Sequence, residues 1–199
     1  VFNYDNRDIG LSSRLGNLYF DLDSSEGETA RLEAVRLVQL LRDYVPEEAI
    51  RIYFTGKKGF HVECEAMCLG ITGSKDLADI FRFAAADIRD TLSLDTMDFA
   101  VYDIRRMWRL PNSRHQQTGL YKVALSQEEL ESGYDNILLY AREPHFDRDV
   151  PEQAFSSVAN EWYRDYVYKW EASKQPRIMS SGDLLERFKK HGSLGTHRV

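Results

Sequence analysis

Two aspartates separated by one residue, Asp21 and Asp23, end the apolar run N-L-Y-F-D-L-D-S-S at residues 17–25. Carboxylates placed in this way can hold divalent metal ions, because hard cations prefer oxygen ligands. Alternatively, Asp21 accepts a phosphoryl group as a nucleophile and Asp23 is its acid. A third interpretation is that the pair only ends a strand and begins a turn. The pair by itself leaves all three open.

A second group of reactive residues lies in T-G-K-K-G-F-H-V, residues 55–62. Glycines flank two lysines, so backbone N–H groups and ammonium groups of the turn can approach phosphate oxygens closely. His61 follows the second glycine by two residues. Taken alone, the segment is more typical of a basic turn followed by a surface histidine.

A third segment, residues 97–122, has Asp98 near its start and is basic in its second half. Residues 105–122 contain no acidic residue, although the whole chain has a net charge of −6. Local charge decides phosphate binding better than the net charge does. The basic residues of this stretch are Arg105, Arg106, Arg109, Arg114, His115 and Lys122.

The overall composition is that of a globular protein with 199 residues, enough for one large domain or two small subdomains. No apolar run reaches the roughly 20 residues of a membrane helix, and no signal peptide begins the chain. We therefore expect a cytoplasmic protein without membrane contact, and a domain of a longer polypeptide because the chain begins with valine. Two cysteines, Cys64 and Cys68, exclude a disulfide framework and lack a second ligand pair, so no zinc is expected.

Three predicted strands position the first two groups. Alternation in Leu18 to Asp23 places both carboxylates on one face of a strand and the apolar residues on the other. The segments Ile50 to Thr55 and Phe60 to Cys64 alternate in the same way. In the latter strand, His61 and Glu63 are predicted to point to the side of the aspartates.

The remaining pattern predicts helices and shorter strands. A helix begins near Gly27, buries Leu32, Val35, Val38 and Leu41, and ends before Pro46. Further helices are predicted at residues 74–92, after the capping box Ser126 to Glu129, at residues 161–172 with a core-facing aromatic stripe, and at residues 183–192. Further strands are predicted at Phe99 to Tyr102, Met107 to Leu110 and Gly119 to Leu125. Interleaved strands and helices indicate a mixed sheet of α/β or α+β class.

Taken together, the three segments resemble the archaeo-eukaryotic primases and primase-polymerases. That family is marked by a strand ending D-x-D, by S/T-G-x-x-G-x-H, and by a third carboxylate ahead of R-L-P-x-S-x-H-x-x-T-G-L. All three occur here in that order, the last as Arg109 to Leu120. The resemblance implies an αβ unit and an RRM-like β-rich unit flanking a catalytic cleft. It implies a catalytic core over residues 1–150 and a helical C-terminal extension over residues 151–199.

The resemblance also implies roles for individual residues. Asp21, Asp23 and Asp98 would hold two Mg²⁺ or Mn²⁺ ions, and Asp98 fits the family's spacing better than Asp95 or Asp103. Arg106 would share a face with Arg109 only if a bulge intervened. The residues expected to bind the nucleotide are Thr55, Lys57, Lys58, Gly59, His61, Arg106, Arg109, Ser113, His115 and Lys122.

The implied activity is DNA-templated nucleotidyl transfer, as primer synthesis or primer extension in DNA replication or repair. The implied partners are a single-stranded DNA template, a primer, NTP or dNTP substrates, and a helicase or other replication module in a longer polypeptide. One alternative is a catalytically inactive relative that binds nucleic acid or nucleotide. The other is a haloacid-dehalogenase-like phosphohydrolase with Asp21 as nucleophile, although no strand-terminal pair of aspartates follows later in the chain.

Overall fold

The computed structural model describes residues 13–103, 108–146 and 154–174. In these residues the chain forms four strands and five α-helices. The strands are β1 (Leu18–Leu22), β2 (Ile50–Phe54), β3 (Phe60–Cys64) and β4 (Val123–Leu125). The helices are α1 (Gly27–Leu41), α2 (Leu77–Leu92), α3 (Gln127–Glu131), α4 (Tyr134–Tyr140) and α5 (Ser157–Lys174). Short 3₁₀ turns occupy Glu47–Ala49 and Phe99–Tyr102.

The strands form one sheet in the order β1-β3-β2-β4. All three pairings are antiparallel, with Phe20 opposite Val62 and Phe54 opposite both Phe60 and Val123. The α+β class is thus confirmed, whereas a mixed sheet was expected and the described strands form an antiparallel one. Strand β4 comes from the segment expected to form a separate β-rich unit, and it joins the sheet that carries β1 and β3.

One face of the sheet is apolar and packs against α1. Phe20, Phe54 and Phe60 on this face are completely buried. Helix α1 meets the sheet through Ala30, Ala34, Leu37, Val38 and Leu41. The predicted burial of Leu32 was wrong, since this residue is 50% exposed. The small side chains of the two alanines allow close approach, and their stripe is the one that faces the sheet.

Helix α5 packs against α2 through aromatic side chains, and the prediction that this stripe faces the core is confirmed. Tyr163, Tyr166 and Trp170 are buried, and the Tyr163 ring meets that of Phe81 edge-on at 6.4 Å. Cys68, like Cys64, is a buried free thiol. Among the described residues, no helix is both long and apolar enough to cross a membrane.

The predicted strands between α2 and β4 need correction. Phe99–Tyr102 is a 3₁₀ turn, because the Asp98 carboxylate accepts the Ala100 N–H and caps it. Residues 108–110 have no regular structure, and of the strand predicted at Gly119 to Leu125 only Val123–Leu125 forms. Outside the described residues lie Arg105, Arg106, Met107 and the helix predicted at 183–192.

Candidate active site

The polar face of the sheet brings together the two predicted strand motifs. Asp21 in β1 is the register partner of His61 in β3, and His61 is also opposite Tyr53 in β2. The Nε2 atom of His61 lies 3.5 Å from Oδ1 of Asp21, and both side chains are 12% exposed. The D-x-D strand and the G-x-H strand therefore contribute to one site, as their alternation predicted.

Asp98 lies on the other side of Asp21. Met97 forms an antiparallel bridge with Leu22, and the Asp98 N–H donates to the Asp21 carbonyl at 2.8 Å. Register partners in such a pair have Cβ atoms about 4.5–5.5 Å apart. Asp98, Asp21 and His61 thus form a row across the sheet, which we call the carboxylate row.

Asp23 occupies a more open position at the end of β1. Its side chain is 51% exposed, and its Oδ1 lies 3.8 Å from the Lys58 ammonium. The turn that carries Lys58 approaches β1 closely at Gly59. A Cβ on Gly59 would lie 2.8 Å from the carbonyl oxygen of Leu22, which is too close for a side chain. Glycine at this position therefore allows the turn to pack against the end of the aspartate strand.

The three predicted metal ligands fit a hard divalent cation in their chemistry, because all are carboxylates. Asp21 and Asp98 also fit in placement, since they are register neighbours. Asp23 is directed toward Lys58. Over residues 13–103, 108–146 and 154–174, no three His, Cys, Asp or Glu side chains are gathered closely enough to form a ready metal site.

We call residues 55–59 the glycine-lysine turn. This turn forms hydrogen bonds with the hairpin that contains R-L-P-N-S-R-H-Q-Q-T-G-L. The Thr118 hydroxyl donates to the Gly56 carbonyl at 2.5 Å, and the Lys57 ammonium donates to Oε1 of Gln117 at 2.8 Å. Within the turn, the Thr55 hydroxyl accepts the Gly59 N–H at 3.2 Å. Gly56 has a φ of 82°, which favours glycine. The two motifs are therefore one structural unit.

This unit gathers positive charge around His115. Its Nδ1 accepts the backbone N–H groups of Gln117 and Thr118, which leaves the ring proton on Nε2. Partial burial lowers the pKa of His115, and the positive charges of Arg109 and Lys57 lower it further. We call Lys57, Arg109 and His115 the cationic cluster. Such a cluster attracts anions, and a phosphate group would restore a higher pKa to the histidine.

Lys122 and Ser113 donate hydrogen bonds to backbone carbonyls of this unit. Lys122 is 2% exposed, and its ammonium donates to the Arg109 carbonyl at 3.0 Å. Burial lowers the pKa of Lys122 to about 8. The Ser113 hydroxyl donates to the Leu110 carbonyl at 2.6 Å, inside the turn. Both were expected to contact the nucleotide; here both bind the backbone of the segment that presents Arg109, and Arg106 lies outside the described residues.

Three residues of the site were not singled out from the sequence. Gln117 and Thr118 join the two motif loops, and Trp108 packs its ring 3.9 Å from that of His61 and 4.8 Å from that of Tyr19. The first two lie inside the R-L-P-N-S-R-H-Q-Q-T-G-L motif, so the motif itself was a usable signal. Nothing in the local pattern around Trp108 indicates which ring it contacts.

A comparison with curated proteins found one DNA primase subunit that is similar to this chain. The chain is 23% identical to the DNA primase small subunit PriS of Pyrobaculum arsenaticum, over 69% of this chain and 55% of that protein. The sequence thus shows weak similarity to an archaeal DNA primase small subunit, in agreement with the resemblance to the archaeo-eukaryotic primases. It therefore spans little more than half the length of the relative it matches.

The other comparisons add less. No family model matches the chain. Among solved structures, the chain is similar to the polymerase domain of Mycobacterium tuberculosis ligase D in complex with DNA. That similarity covers 96% of this chain and 61% of the other, at 19% identity and a TM-score of 0.39.

Proposed function

We propose that this chain catalyses DNA-templated nucleotidyl transfer as a primase-polymerase domain. The observation that carries the proposal is the carboxylate row. It places Asp21 between Asp98 and His61, and the turn next to it belongs to the same unit as the cationic cluster. Transfer at phosphorus requires the negative charge of the reacting centre to be neutralised by cations, which carboxylates can hold, and positive charge around the leaving pyrophosphate.

Asp21, Asp23 and Asp98 would hold two Mg²⁺ or Mn²⁺ ions. When bound, such ions neutralise the charge on the attacking and leaving oxygens of an in-line displacement. The protein's part is to hold the carboxylates in position. Asp21 lies on β1, and Asp98 lies on a short segment that pairs with β1 around the Leu22–Met97 bridge.

The cationic cluster would bind the triphosphate of the incoming nucleotide. Lys57 and Arg109 supply positive charge, and the Nε2–H of His115 supplies a directed donor. His61, which lies next to Asp21, would contact the phosphate that reacts. Thr55, Lys58 and Gly59 shape the turn against which the phosphates would lie.

The template and primer would be single-stranded DNA and its paired end, in line with the primase relative. The net charge of −6 means that DNA contact depends on local basic residues. Binding of single-stranded DNA should therefore weaken as salt rises, with a slope that reflects only a few phosphate contacts.

The proposal is tested by labelled-nucleotide incorporation on primed and unprimed single-stranded DNA, with NTPs or dNTPs and with Mg²⁺ or Mn²⁺. Asp21→Asn and Asp98→Asn should reduce incorporation by orders of magnitude. Asp165→Asn, which removes an exposed carboxylate paired with Lys169 on α5, is the matched control and should leave it unchanged.

Three results would contradict the proposal. Wild-type incorporation by Asp98→Asn would show that the third ligand is misassigned. A wild-type chain that binds DNA and nucleotide but incorporates nothing under any of these conditions is an inactive relative. Phosphoenzyme formation on Asp21 would instead establish the phosphohydrolase.

A further inference from the structure

Glu33 is a buried carboxylate outside the site described above. It lies on α1, is 4% exposed, and accepts three hydrogen bonds from one loop. The Asp95 N–H donates to Oε1 at 3.0 Å, and the Thr96 N–H and hydroxyl donate to Oε2 at 2.9 and 2.7 Å. A buried carboxylate is costly unless its oxygens are satisfied in this way. Its position thus depends on the loop, and the loop depends on it.

The loop that Glu33 binds connects α2 to the segment carrying Asp98. Ser93, with a φ of 50°, ends α2 and turns the chain toward α1. Thr96 is then bound on two sides. Its N–H and hydroxyl bind Glu33, while its carbonyl accepts the Asp23 N–H at 2.8 Å. Thr96 therefore links α1 to the end of β1, two residues ahead of Asp98.

We propose that Glu33 is a positioning residue, which fixes the Thr96 to Asp98 segment against β1 and thereby sets the spacing of Asp98 from Asp21. The inference rests on the proposed function, because that spacing matters only if the two carboxylates share metal ions. The segment pairs with β1 through only a short stretch around the Leu22–Met97 bridge. So short a pairing is weak on its own, and three hydrogen bonds to a charged acceptor add a second anchor.

Arg36 does not replace Glu33 in this role. Its Nη2 lies 3.6 Å from Oε1 of Glu33 and its side chain is 46% exposed, so it adds a weak, solvent-screened attraction. Its Nη1 donates instead to the Leu92 carbonyl at the end of α2. The carboxylate is the group that reaches the backbone of the loop.

The test uses Glu33→Gln, which keeps the size of the side chain. One carboxylate oxygen becomes an NH₂ group and faces an N–H or O–H donor of the loop, so at least one hydrogen bond is lost. Glu28→Gln is the matched control on the same helix, since Glu28 is half exposed and pairs with Arg31. Thr96→Val, which removes only the hydroxyl bond, is a milder second variant.

Two readouts separate positioning from general support of the fold. The first is hydrogen exchange at the amides of Asp23 and Asp98, which bridge the segment and β1. The second is the dissociation constant for Mn²⁺, measured by electron paramagnetic resonance without nucleotide or DNA. For Glu33→Gln we expect faster exchange at both amides and unchanged exchange in β3. We also expect Mn²⁺ binding to weaken by about 10- to 100-fold, which corresponds to the loss of a hydrogen bond to a charged group. Thr96→Val should show the same changes at a smaller size, and Glu28→Gln should show neither.

Faster exchange with unchanged Mn²⁺ affinity would make Glu33 purely structural and overturn the inference. Unchanged exchange in a folded Glu33→Gln protein would overturn it as well, because the hydrogen bonds to Glu33 would then not hold the segment against β1. If Glu33→Gln does not fold, the same two outcomes are decided with Thr96→Val. Asp98→Asn separates failure of the proposed metal site from failure of the Glu33 inference. If this variant leaves Mn²⁺ affinity unchanged, Asp98 is not a metal ligand and Glu33 has no metal ligand to position. If Asp98→Asn weakens Mn²⁺ binding and Glu33→Gln does not, only the present inference is wrong.

Discussion

Replacing Lys122 by Met removes an ammonium group from the interior and keeps most of the apolar stem. The ammonium lies 4.6 Å from the centre of the Tyr53 ring and 5.5 Å from that of Trp108, with the Arg109 carbonyl as its hydrogen-bond acceptor. Burial lowers the pKa of Lys122 from 10.5 to about 8, more than the carboxylates of Glu63 and Asp21 raise it. The charged form is therefore less stable in the folded protein than in the unfolded chain.

The sign of the pH dependence follows from this difference. Between a pKa of about 8 in the folded state and about 10.5 in the unfolded state, the unfolded chain binds more protons. The free energy of unfolding therefore rises as pH rises through that window. A difference of about 2.5 pH units corresponds to about 3 kcal/mol, which opposes folding fully at about pH 7 and is lost above about pH 10.5. About 2 kcal/mol of it should be recovered by about pH 9.5.

The assay is urea unfolding of wild type and Lys122→Met, followed by tryptophan fluorescence at several pH values between about 7 and 9.5. The stability of wild type relative to the variant should rise by about 2 kcal/mol over this range. Tyrosines that lie away from Lys122 contribute equally in both proteins, so their effect cancels in the difference. Lys169→Met, at an exposed lysine on α5, is the control and should show no such trend. Parallel pH profiles for wild type and Lys122→Met would show that Lys122 titrates as an exposed lysine, and the burial of its ammonium would be refuted.

Three further predictions concern the site and one helix end. His61→Ala and Arg109→Ala should each lower kcat/KM for the nucleotide by about 30- to 1000-fold at saturating template, because each contact is worth about 2–4 kcal/mol in the transition state. A loss confined to template affinity would show that these residues do not bind the triphosphate. Gly59→Ala should lower both incorporation and the melting temperature, because its Cβ meets the Leu22 carbonyl at 2.8 Å; calorimetry showing wild-type stability would argue against that close approach. Ser126→Ala removes the capping box at the start of α3 and should cost about 1 kcal/mol in urea unfolding while leaving incorporation intact.

The central strands were predictable because their pattern is local. In β1 and β3, apolar residues alternate with polar ones, and one face is packed against α1. That alternation alone places Asp21 and His61 on the same side of the sheet. The capping box at Ser126 and the aromatic stripe of α5 were confirmed for the same reason, since each depends on spacing within one helix.

The surroundings of Asp98 and Lys122 depend on contacts between distant segments. Asp98 caps a 3₁₀ turn where alternation predicted a strand, because its carboxylate takes the Ala100 N–H. The burial of Lys122 depends on rings contributed by β2 and by Trp108. Helix α4 was missed because its seven residues are too few to show helical periodicity. The metal triad and the nucleotide contacts stay predictions that the proposed experiments address.

The carboxylate row also has a consequence for the order of folding. The strands β2 and β3 are neighbours in sequence and form a hairpin that already carries the glycine-lysine turn. Asp21 and Asp98 join only through long-range pairings, supported by the hydroxyl of Tyr102, which donates to the Tyr19 carbonyl across 83 positions of the chain. Closing such long loops is entropically costly and slow compared with forming a hairpin. During refolding, the turn with Lys57 and Lys58 should therefore form before the carboxylates meet, and a partly folded chain would present these two lysines without the row beside them.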